Sequence, residues 1–212
     1  MKKERPIPIK DINKRVFDII FSIIALIILF PIFIIISLLI KWKSPKGNIF
    51  FGHTRLGKNK KPFKVYKFRT MKPNSEEILQ GLFKKNPKIK EEFEKDFKLE
   101  NDPRIIPGIG NFLRKTSLDE LPQFFNSLIG NLSVVGPRPI VENEVKKYGQ
   151  YANKLYNVKP GITGLWQVNG RNQISYDERV ALDMQYIDNQ SLWIDIKIIL
   201  KTIKVMLLRE GV

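Results

Sequence analysis

Two adjacent acidic residues, Asp119 and Glu120, are the first candidates for chemistry in the sequence. They lie within the run Arg114-Lys115-Thr116-Ser117-Leu118-Asp119-Glu120-Leu121-Pro122-Gln123. This arrangement suits phosphate chemistry, because one carboxylate can act as nucleophile or metal ligand and the other as base or second ligand. Arg114 can neutralise phosphate oxygens. Adjacent carboxylates repel each other and a divalent cation relieves the repulsion, so we expect Asp119 and Glu120 to bind Mg²⁺.

The same run also resembles the start of a helix. Ser117 followed three residues later by Glu120 is the pattern of a capping box. Pro122 fits such a helix poorly, because its ring would clash with the preceding turn. The two interpretations are compatible, since the free N–H groups of a helix start stabilise carboxylate and phosphate charges.

Arg138 is the second candidate, in the run Gly136-Pro137-Arg138-Pro139. The flanking prolines fix the backbone, so the guanidinium would lose little conformational entropy when it binds a phosphate. A rigid turn with a solvated arginine is the alternative interpretation of the same pattern.

Two glycine-rich stretches form a third candidate. They read Lys159-Pro160-Gly161-Ile162-Thr163-Gly164 and Asn169-Gly170-Arg171-Asn172. Glycine lets a backbone approach a ligand closely, as loops that bind nucleotides require. Glycine turns also occur in every fold, so this pattern alone selects no ligand.

The composition limits the chemistry and the partners. Lys and Arg number 37 against 21 Asp and Glu, a formal net charge of +16, so we expect anionic partners: phosphates, nucleotides, nucleic acid or an acidic bilayer. The 212 residues contain no cysteine, which excludes disulfides, thiolate zinc sites and a cysteine nucleophile. His53 is the only histidine, so a serine triad or a histidine metal cluster has too few members, and we expect a structural role for it.

A membrane segment precedes all of these candidates. Residues 19–40 are 22 residues without a charge, roughly 33 Å of helix, and a bilayer core is about 30 Å thick. Basic residues flank the segment on both sides, and positive flanks favour the cytoplasm. Either the helix enters, bends at Pro31 and returns, or it is a kinked helix that spans the membrane.

The remaining patterns indicate a compact domain on this anchor, with residues 1–45 as the membrane part and 46–212 as the catalytic part. Residues 49–51 and 63–68 predict two short strands of a hairpin. Residues 75–100 carry seven acids and six lysines, which predicts a solvated helical insertion. Residues 192–209 predict an amphipathic helix whose lysines lie on one side. It either covers the core or lies in the lipid headgroup layer.

With these residues considered together, the chain resembles the bacterial sugar transferase family, the monotopic polyprenyl-phosphate phosphoglycosyl transferases. The resemblance extends from about Lys14 to the C-terminus. Besides the basic start and the apolar segment, it rests on Tyr66-Lys67-Phe68-Arg69-Thr70-Met71, Thr116 to Gln123, Gly136 to Pro139, Pro160 to Gly164 and Val168 to Arg171. Each motif is modest alone, but their order and spacing are specific.

The resemblance implies a reaction. Asp119 would attack the phosphate that bears the sugar of a UDP-sugar, releasing UMP and leaving a covalent phosphosugar enzyme, and polyprenyl (undecaprenyl) phosphate would then take the sugar phosphate. Glu120 would assist as metal ligand or by managing the acceptor's proton, with Mg²⁺ at the two carboxylates. The residues implied to hold phosphates or nucleotide are Lys67, Arg114, Arg138 and Arg171. This would be the initiating step of capsule, exopolysaccharide, O-antigen or glycoprotein glycan assembly.

The resemblance also implies an architecture. It is a mostly helical α/β fold with a small β-hairpin or sheet, a re-entrant N-terminal membrane helix bent at Pro31, and interfacial amphipathic helices. The catalytic domain would lie on the cytoplasmic face of the bacterial inner membrane, with membrane lipids as partners; a homodimer is left open. Several relatives have serine before the proline of the bend, whereas Phe30 precedes Pro31 here, so the bend would need other support for its backbone carbonyls.

Two rival interpretations come from other classes. A tethered basic protein without catalysis could bind anionic lipid or RNA by charge alone. The aromatic residues lack the stacking pattern of RNA-binding modules, so we expect no nucleic-acid partner. The second rival is a transferase that uses direct displacement, with both carboxylates holding metal and no covalent intermediate.

Overall fold

The computed structural model describes residues 9–96, 99, 101–170 and 174–208. This part of the chain is mostly helical, with two sheets of two strands each. It therefore confirms the predicted class of helices with a small sheet. In chain order the helices and strands are α1 (Ile9–Lys43), β1 (Phe50–Leu56), β2 (Pro62–Phe68), α2 (Ser75–Lys85), α3 (Pro87–Asp96), α4 (Gly110–Lys115), α5 (Gln123–Ile129), β3 (Ser133–Val135), α6 (Val145–Tyr148), α7 (Ala152–Leu155), β4 (Gly161–Thr163), α8 (Tyr176–Asn189) and α9 (Leu192–Leu208).

The chain divides into two compact units. The first comprises Met1–Phe30, Gly52–Tyr66 and Glu120–Val212, and the second comprises Pro31–Phe51 and Lys67–Asp119. Helix α1 and strands β1 and β2 therefore each contribute residues to both units.

Helix α1 runs without interruption through Pro31. It is long and apolar enough to cross a membrane, and 11% of its apolar window is buried within the protein. Large side chains such as Ile27, Ile28 and Phe30 are exposed. Because apolar surface left in water costs about 25 cal/mol per Å², this exposure indicates that α1 is associated with a membrane. Re-entry at Pro31 stays a prediction.

The first unit is built around two apolar clusters. One contains Val134, Val135, Val168, Tyr186 and Ile198, and the other contains Ile140, Tyr148, Leu155, Val180 and Met184. Strands β3 and β4 pair in parallel within this unit, with Ser133 opposite Gly161 and Val135 opposite Thr163. The turn that carries Arg138 therefore follows directly after a buried strand.

Buried polar side chains join the first part of α1 to this core. Asp18 is 1% exposed and accepts hydrogen bonds from Ser133 Oγ and Val134 N, both at 2.9 Å. Lys14 Nζ donates to Asp195 Oδ2 at 2.8 Å. Because a buried carboxylate without its donors is strongly destabilising, these bonds fix the first part of α1 against β3 and α9.

Helix α9 covers the core with one face and exposes apolar residues elsewhere. Ile198 and Val205 are buried, whereas Trp193 and Leu200 are exposed. Its exposed lysines are Lys197, Lys201 and Lys204. The structure thus supports the prediction that α9 covers the core. The prediction that its other surface lies among lipid headgroups remains untested.

The second unit contains the charged insertion, which forms α2 and α3. Phe83 and Phe93 join these two helices, with their ring centres 5.6 Å apart. After α3, the chain returns along the residues that follow β2: Ile106 N donates to Thr70 O at 2.9 Å, and Lys72 N donates to Arg104 O at 2.7 Å. This pairing holds the backbone of Thr70 in place.

Candidate active site

Asp119 is 8% exposed and lies in a short 3₁₀ turn, Leu118–Glu120. Lys67 of β2 places its Nζ 3.9 Å from Asp119 Oδ2. Arg114 of α4 lies close enough for Asp119 to raise its pKa. We call Lys67, Thr70, Arg114 and Asp119 the Asp119 group, and all four belong to the second unit. The structure thus brings together three residues that the sequence analysis singled out for phosphate chemistry.

Thr70 holds Arg114 in place, because Arg114 Nε donates to Thr70 Oγ1 at 2.9 Å. The pKa of Arg114 is lowered, mainly because burial removes water from its guanidinium. The negative charges of Asp119 and Asp102 raise this pKa, and the positive charge of Arg104 lowers it. Arginine stays protonated in proteins, so these shifts reveal which charges surround it. Thr70 lies 44 positions from Arg114, and no local pattern in the sequence predicts their contact.

The turn before Asp119 differs from the predicted capping box. Ser117 has φ 56°, in the left-handed region that few residues other than glycine adopt, and it follows the C-cap of α4, Thr116. A left-handed residue directly after a helix is a typical helix end. The next helix, α5, begins at Gln123 with Pro122 as its N-cap. Ser117 therefore lacks the extended backbone of a capping box, and that interpretation was wrong, although a short 3₁₀ turn, Leu118–Glu120, begins directly after it.

Arg138 is exposed on the turn after β3, between two buried prolines. Its guanidinium carbon lies 6.0 Å from the centre of the Trp166 ring, and that of Arg179 lies 4.8 Å from the same centre. Leu56 N donates to Ile140 O at 2.9 Å, which holds the end of β1 beside this turn. The turn therefore presents the arginine side chain to solvent from a fixed backbone.

Arg55 of β1 is a residue that the sequence analysis missed. Its Nη1 donates to Glu144 Oε2 at 3.2 Å. Burial and the charge of Arg138 lower the pKa of Arg55, while Glu144 and Glu120 raise it. We call Arg55, Glu120, Arg138 and Glu144 the Arg138 group, and all four belong to the first unit. Arg55 is thus within electrostatic range of one cation, Arg138, and of two carboxylates, Glu144 and Glu120.

A buried carboxylate supports the same part of the first unit. Asp183 is 0% exposed and accepts a hydrogen bond from the Tyr148 hydroxyl at 2.8 Å. Burial raises the pKa of Asp183 to about 7, although the bond from Tyr148 and the charge of Arg138 lower it.

The glycines of the stretch at 159–164 serve close packing. A Cβ on Gly161 would lie 2.1 Å from Gly136 N, and one on Gly164 would lie 2.4 Å from Gly136 O. Glycine is required there because backbone meets backbone. Close approach to a nucleotide stays a prediction for these loops. Arg171, predicted to hold phosphate or nucleotide, lies outside the described residues.

The residues predicted to bind Mg²⁺ fit that ion only together with a substrate. Within the part of the chain that the structure describes, no three His, Cys, Asp or Glu side chains gather into a metal-binding cluster. Mg²⁺ usually binds one or two carboxylates, several waters and the phosphates of a substrate. Asp119 and Glu120, adjacent in the sequence, would supply the two carboxylates of such a set, and Mg²⁺ binding stays a prediction.

Comparison with known proteins identifies the family. The model of the family described as bacterial sugar transferase matches residues 9–209. The chain is 51% identical over 198 residues to the undecaprenyl-phosphate galactose phosphotransferase of Salmonella typhimurium, covering 93% of this chain and 41% of that protein. It is 48% identical over 204 residues to the exopolysaccharide production protein ExoY of Sinorhizobium fredii, covering 96% of this chain and 89% of that protein.

A third relative carries a more detailed name. The chain is 39% identical over 209 residues to the UDP-glucose:undecaprenyl-phosphate glucose-1-phosphate transferase of Escherichia coli, covering 92% of this chain and 41% of that protein. The chain thus spans about two fifths of the length of several curated relatives that it matches and most of the length of ExoY. The family match over nearly all of the chain confirms the resemblance found from the motifs. The protein belongs to the bacterial sugar transferase family.

Proposed function

We propose that the protein is a phosphoglycosyl transferase that moves a sugar-1-phosphate from a UDP-sugar to undecaprenyl phosphate and releases UMP. The observation that carries the proposal is the Asp119 group: a nearly buried carboxylate with Lys67 Nζ at 3.9 Å and Arg114 close by. The names of the relatives support the same donor and acceptor classes. The transfer would initiate the assembly of a lipid-linked glycan.

The reaction proceeds in two displacements. An Asp119 oxygen attacks the phosphorus that bears the sugar; an O–P bond to the enzyme forms, the bond to UMP breaks, and UMP leaves with the electron pair. A phosphate oxygen of undecaprenyl phosphate then attacks the same phosphorus, which releases the Asp119 carboxylate. Glu120 accepts any proton that the acceptor phosphate still carries.

The cations of the two groups have separate tasks. Lys67 stabilises Asp119 as a carboxylate before attack, and Arg114 neutralises the oxygens of the phosphate under attack. Arg138 binds a further phosphate oxygen or the nucleotide, for which its fixed backbone suits it. Mg²⁺ bound by Asp119 and Glu120 would supply additional positive charge on the phosphates.

The central experiment uses a donor that is radiolabelled in the sugar phosphate. We expect label to remain on acid-denatured protein before acceptor is added, and Asp119→Asn to abolish it, because an amide oxygen is a poor nucleophile. Asp177→Asn, at an exposed carboxylate of α8, is the matched control and should label normally. A labelled Asp119→Asn variant would refute the nucleophile.

Two further measurements separate the alternatives. Exchange of labelled UMP into the donor without acceptor requires the two-step route, so a direct displacement would show none. Exhaustive chelation should stop both labelling and exchange and added Mg²⁺ should restore them, whereas unchanged activity would exclude the metal.

We further propose that α1 is re-entrant and that both of its ends face the cytoplasm. The basic residues on both sides of the apolar segment support this topology. The chain has no cysteine, so single cysteines at Asn13 and Lys46 can be probed in intact cells with a membrane-impermeant maleimide. Neither should react until the membrane is permeabilised; reaction of either one in intact cells would indicate a spanning helix.

A further inference from the structure

The charged insertion contacts the segment that supports the Asp119 group. Phe93 of α3 lies against Arg104, with 5.1 Å from the guanidinium carbon to the ring centre. Helix α2 supports this ring through Phe83. An arginine over an aromatic face is attracted to it and is restricted in orientation. The insertion therefore holds Arg104 from one side.

Arg104 donates several hydrogen bonds to the carboxylate of Asp102. Its Nε lies 2.8 Å and 3.0 Å from Oδ1 and Oδ2 of Asp102, and its Nη2 lies 2.6 Å from Oδ2. The backbone N of Arg104 also donates to Oδ1 at 3.0 Å. The two side chains are 9% and 5% exposed. Charge-assisted bonds of this kind are strong, and Arg104 thus engages both carboxylate oxygens.

Asp102 also acts on Arg114. Its negative charge raises the pKa of Arg114, as that of Asp119 does, whereas Arg104 lowers it. Both arginines are held by the segment that follows β2, since Lys72 N donates to Arg104 O at 2.7 Å and Arg114 Nε donates to Thr70 Oγ1 at 2.9 Å. Asp102, bound to Arg104, therefore lies within electrostatic range of Arg114. If Arg104 were absent, Asp102 would become a buried acceptor without its main donor, and Arg114 would be the cation left to pair with it.

We infer that the insertion is a positioning element for donor binding: Phe93 holds Arg104 on Asp102, and this pairing keeps Asp102 from capturing Arg114, which remains with the donor phosphate. Phe93, Arg104 and Asp102 are positioning residues that act through Arg114. The inference rests on the proposed function, since it assigns the Arg114 guanidinium to the phosphate of a UDP-sugar.

The test measures steady-state kinetics of UMP release with a UDP-sugar in the full chain. Arg104→Met keeps an unbranched apolar stem against Phe93 and removes the charge, and it should raise the donor KM about tenfold, or 1.4 kcal/mol, with kcat within about twofold of wild type. The double variant Arg104→Met/Asp102→Asn should restore the donor KM, because the competing carboxylate is gone. A purely structural role predicts that the double variant is no better than the single one.

The ring is tested separately, with the ion pair intact. Phe93→Leu should raise the donor KM about threefold through loss of the cation–π contact, while Phe93→Tyr, which keeps the ring, should match wild type. Thermal unfolding shows whether Arg104→Met is folded. If it is not, the two Phe93 variants still test the inference. A wild-type KM for Arg104→Met and Phe93→Leu, or a double variant that is not restored, would overturn the inference. Absence of label on wild-type enzyme would instead overturn the proposed function.

Discussion

Asp183→Asn should remove a pH dependence of stability that the buried carboxylate imposes on the protein. The pKa of Asp183 in the folded state is about 7, against an ordinary value of 3.8. The folded protein therefore keeps a proton that the unfolded chain has already lost between these two values. Stability contributed by the protonated form is complete below pH 3.8 and declines as pH rises through about 7.

The magnitude follows from the difference between these two pKa values. At 1.36 kcal/mol for each pKa unit, the full loss is about 4 kcal/mol, and roughly 2 to 3 kcal/mol of it falls between pH 5 and pH 8. Solvent does not reduce this free energy by screening, because Asp183 is 0% exposed. Asn keeps an oxygen for the Tyr148 hydroxyl but does not titrate, so its free energy of unfolding should lack this decline.

The assay is urea unfolding of detergent-solubilised protein at pH 5 and pH 8, for wild type, Asp183→Asn and the exposed control Asp177→Asn. Comparing the differences between variants cancels the other groups that titrate in this range. Wild type and Asp177→Asn should lose about 2 to 3 kcal/mol more than Asp183→Asn over the interval. Parallel pH dependence in all three proteins would refute the assignment of a raised pKa to this carboxylate.

Three further predictions follow from the packing. Gly161→Ala should lower the free energy of unfolding, measured by thermal unfolding, by about 3 kcal/mol or more, because its Cβ would lie 2.1 Å from a backbone nitrogen. The control Gly81→Ala, whose Cβ meets nothing within 4 Å, should instead gain about 0.5 to 1 kcal/mol of helix stability. Equal effects of the two substitutions would contradict the packing. Asp18→Ala should cost about 3 kcal/mol and Asp18→Asn clearly less, because Oδ1 accepts both of its bonds; similar losses for the two variants would exclude this reason. A nitroxide on Leu200→Cys should be more accessible to oxygen than to a nickel chelate if α9 lies in lipid, and one on Lys204→Cys should show the reverse; two water-like signals would place the helix outside the bilayer.

The sequence predicts those features whose physical signal is local. The short run of aromatic and apolar residues at 63–68 predicts a strand, and the structure has β2 at Pro62–Phe68. The long uncharged run predicts α1, because an apolar run of that length is typical of a membrane helix. The order of short motifs predicts the family, although each motif by itself is weak.

The wrong prediction at Ser117 shows the limit of local patterns. Serine followed by glutamate three residues later describes a helix start only when serine has an extended backbone. Here Ser117 is left-handed and follows the C-cap of α4, while Pro122 is the N-cap of α5. The same short sequence pattern can occur where one helix ends and where another begins, so only the backbone conformation of the serine distinguishes the two cases.

Residues that act across long sequence distances could not be found in this way. Arg55 and Glu144 are 89 positions apart, and Arg114 and Thr70 are 44 positions apart. Both pairs depend on where strands and turns meet in the fold. A motif analysis therefore finds the carboxylates and the cation between prolines, but it does not find the side chains that hold them in place.

The second unit connects the apolar helix directly to the Asp119 group. Phe68 is 1% exposed and packs its ring 5.0 Å from that of Phe33 in α1. The next residue, Arg69, donates from its two Nη groups to Oγ and the backbone O of Ser44, both at 2.8 Å. Ser44 is the first residue after α1. Strand β2 and the end of the apolar helix are thus fixed to each other by buried contacts.

Lys67 directly precedes Phe68 on β2. Because successive side chains of a strand point to opposite faces, the face that carries Phe68 packs on the apolar helix while Lys67 reaches Asp119. One step along the backbone therefore separates the contact with α1 from the cation beside the carboxylate. A water-soluble acceptor would require no such coupling, whereas a phosphate carried on a lipid must react where the lipid is held. This spacing favours the second displacement of the proposed reaction occurring at the membrane surface.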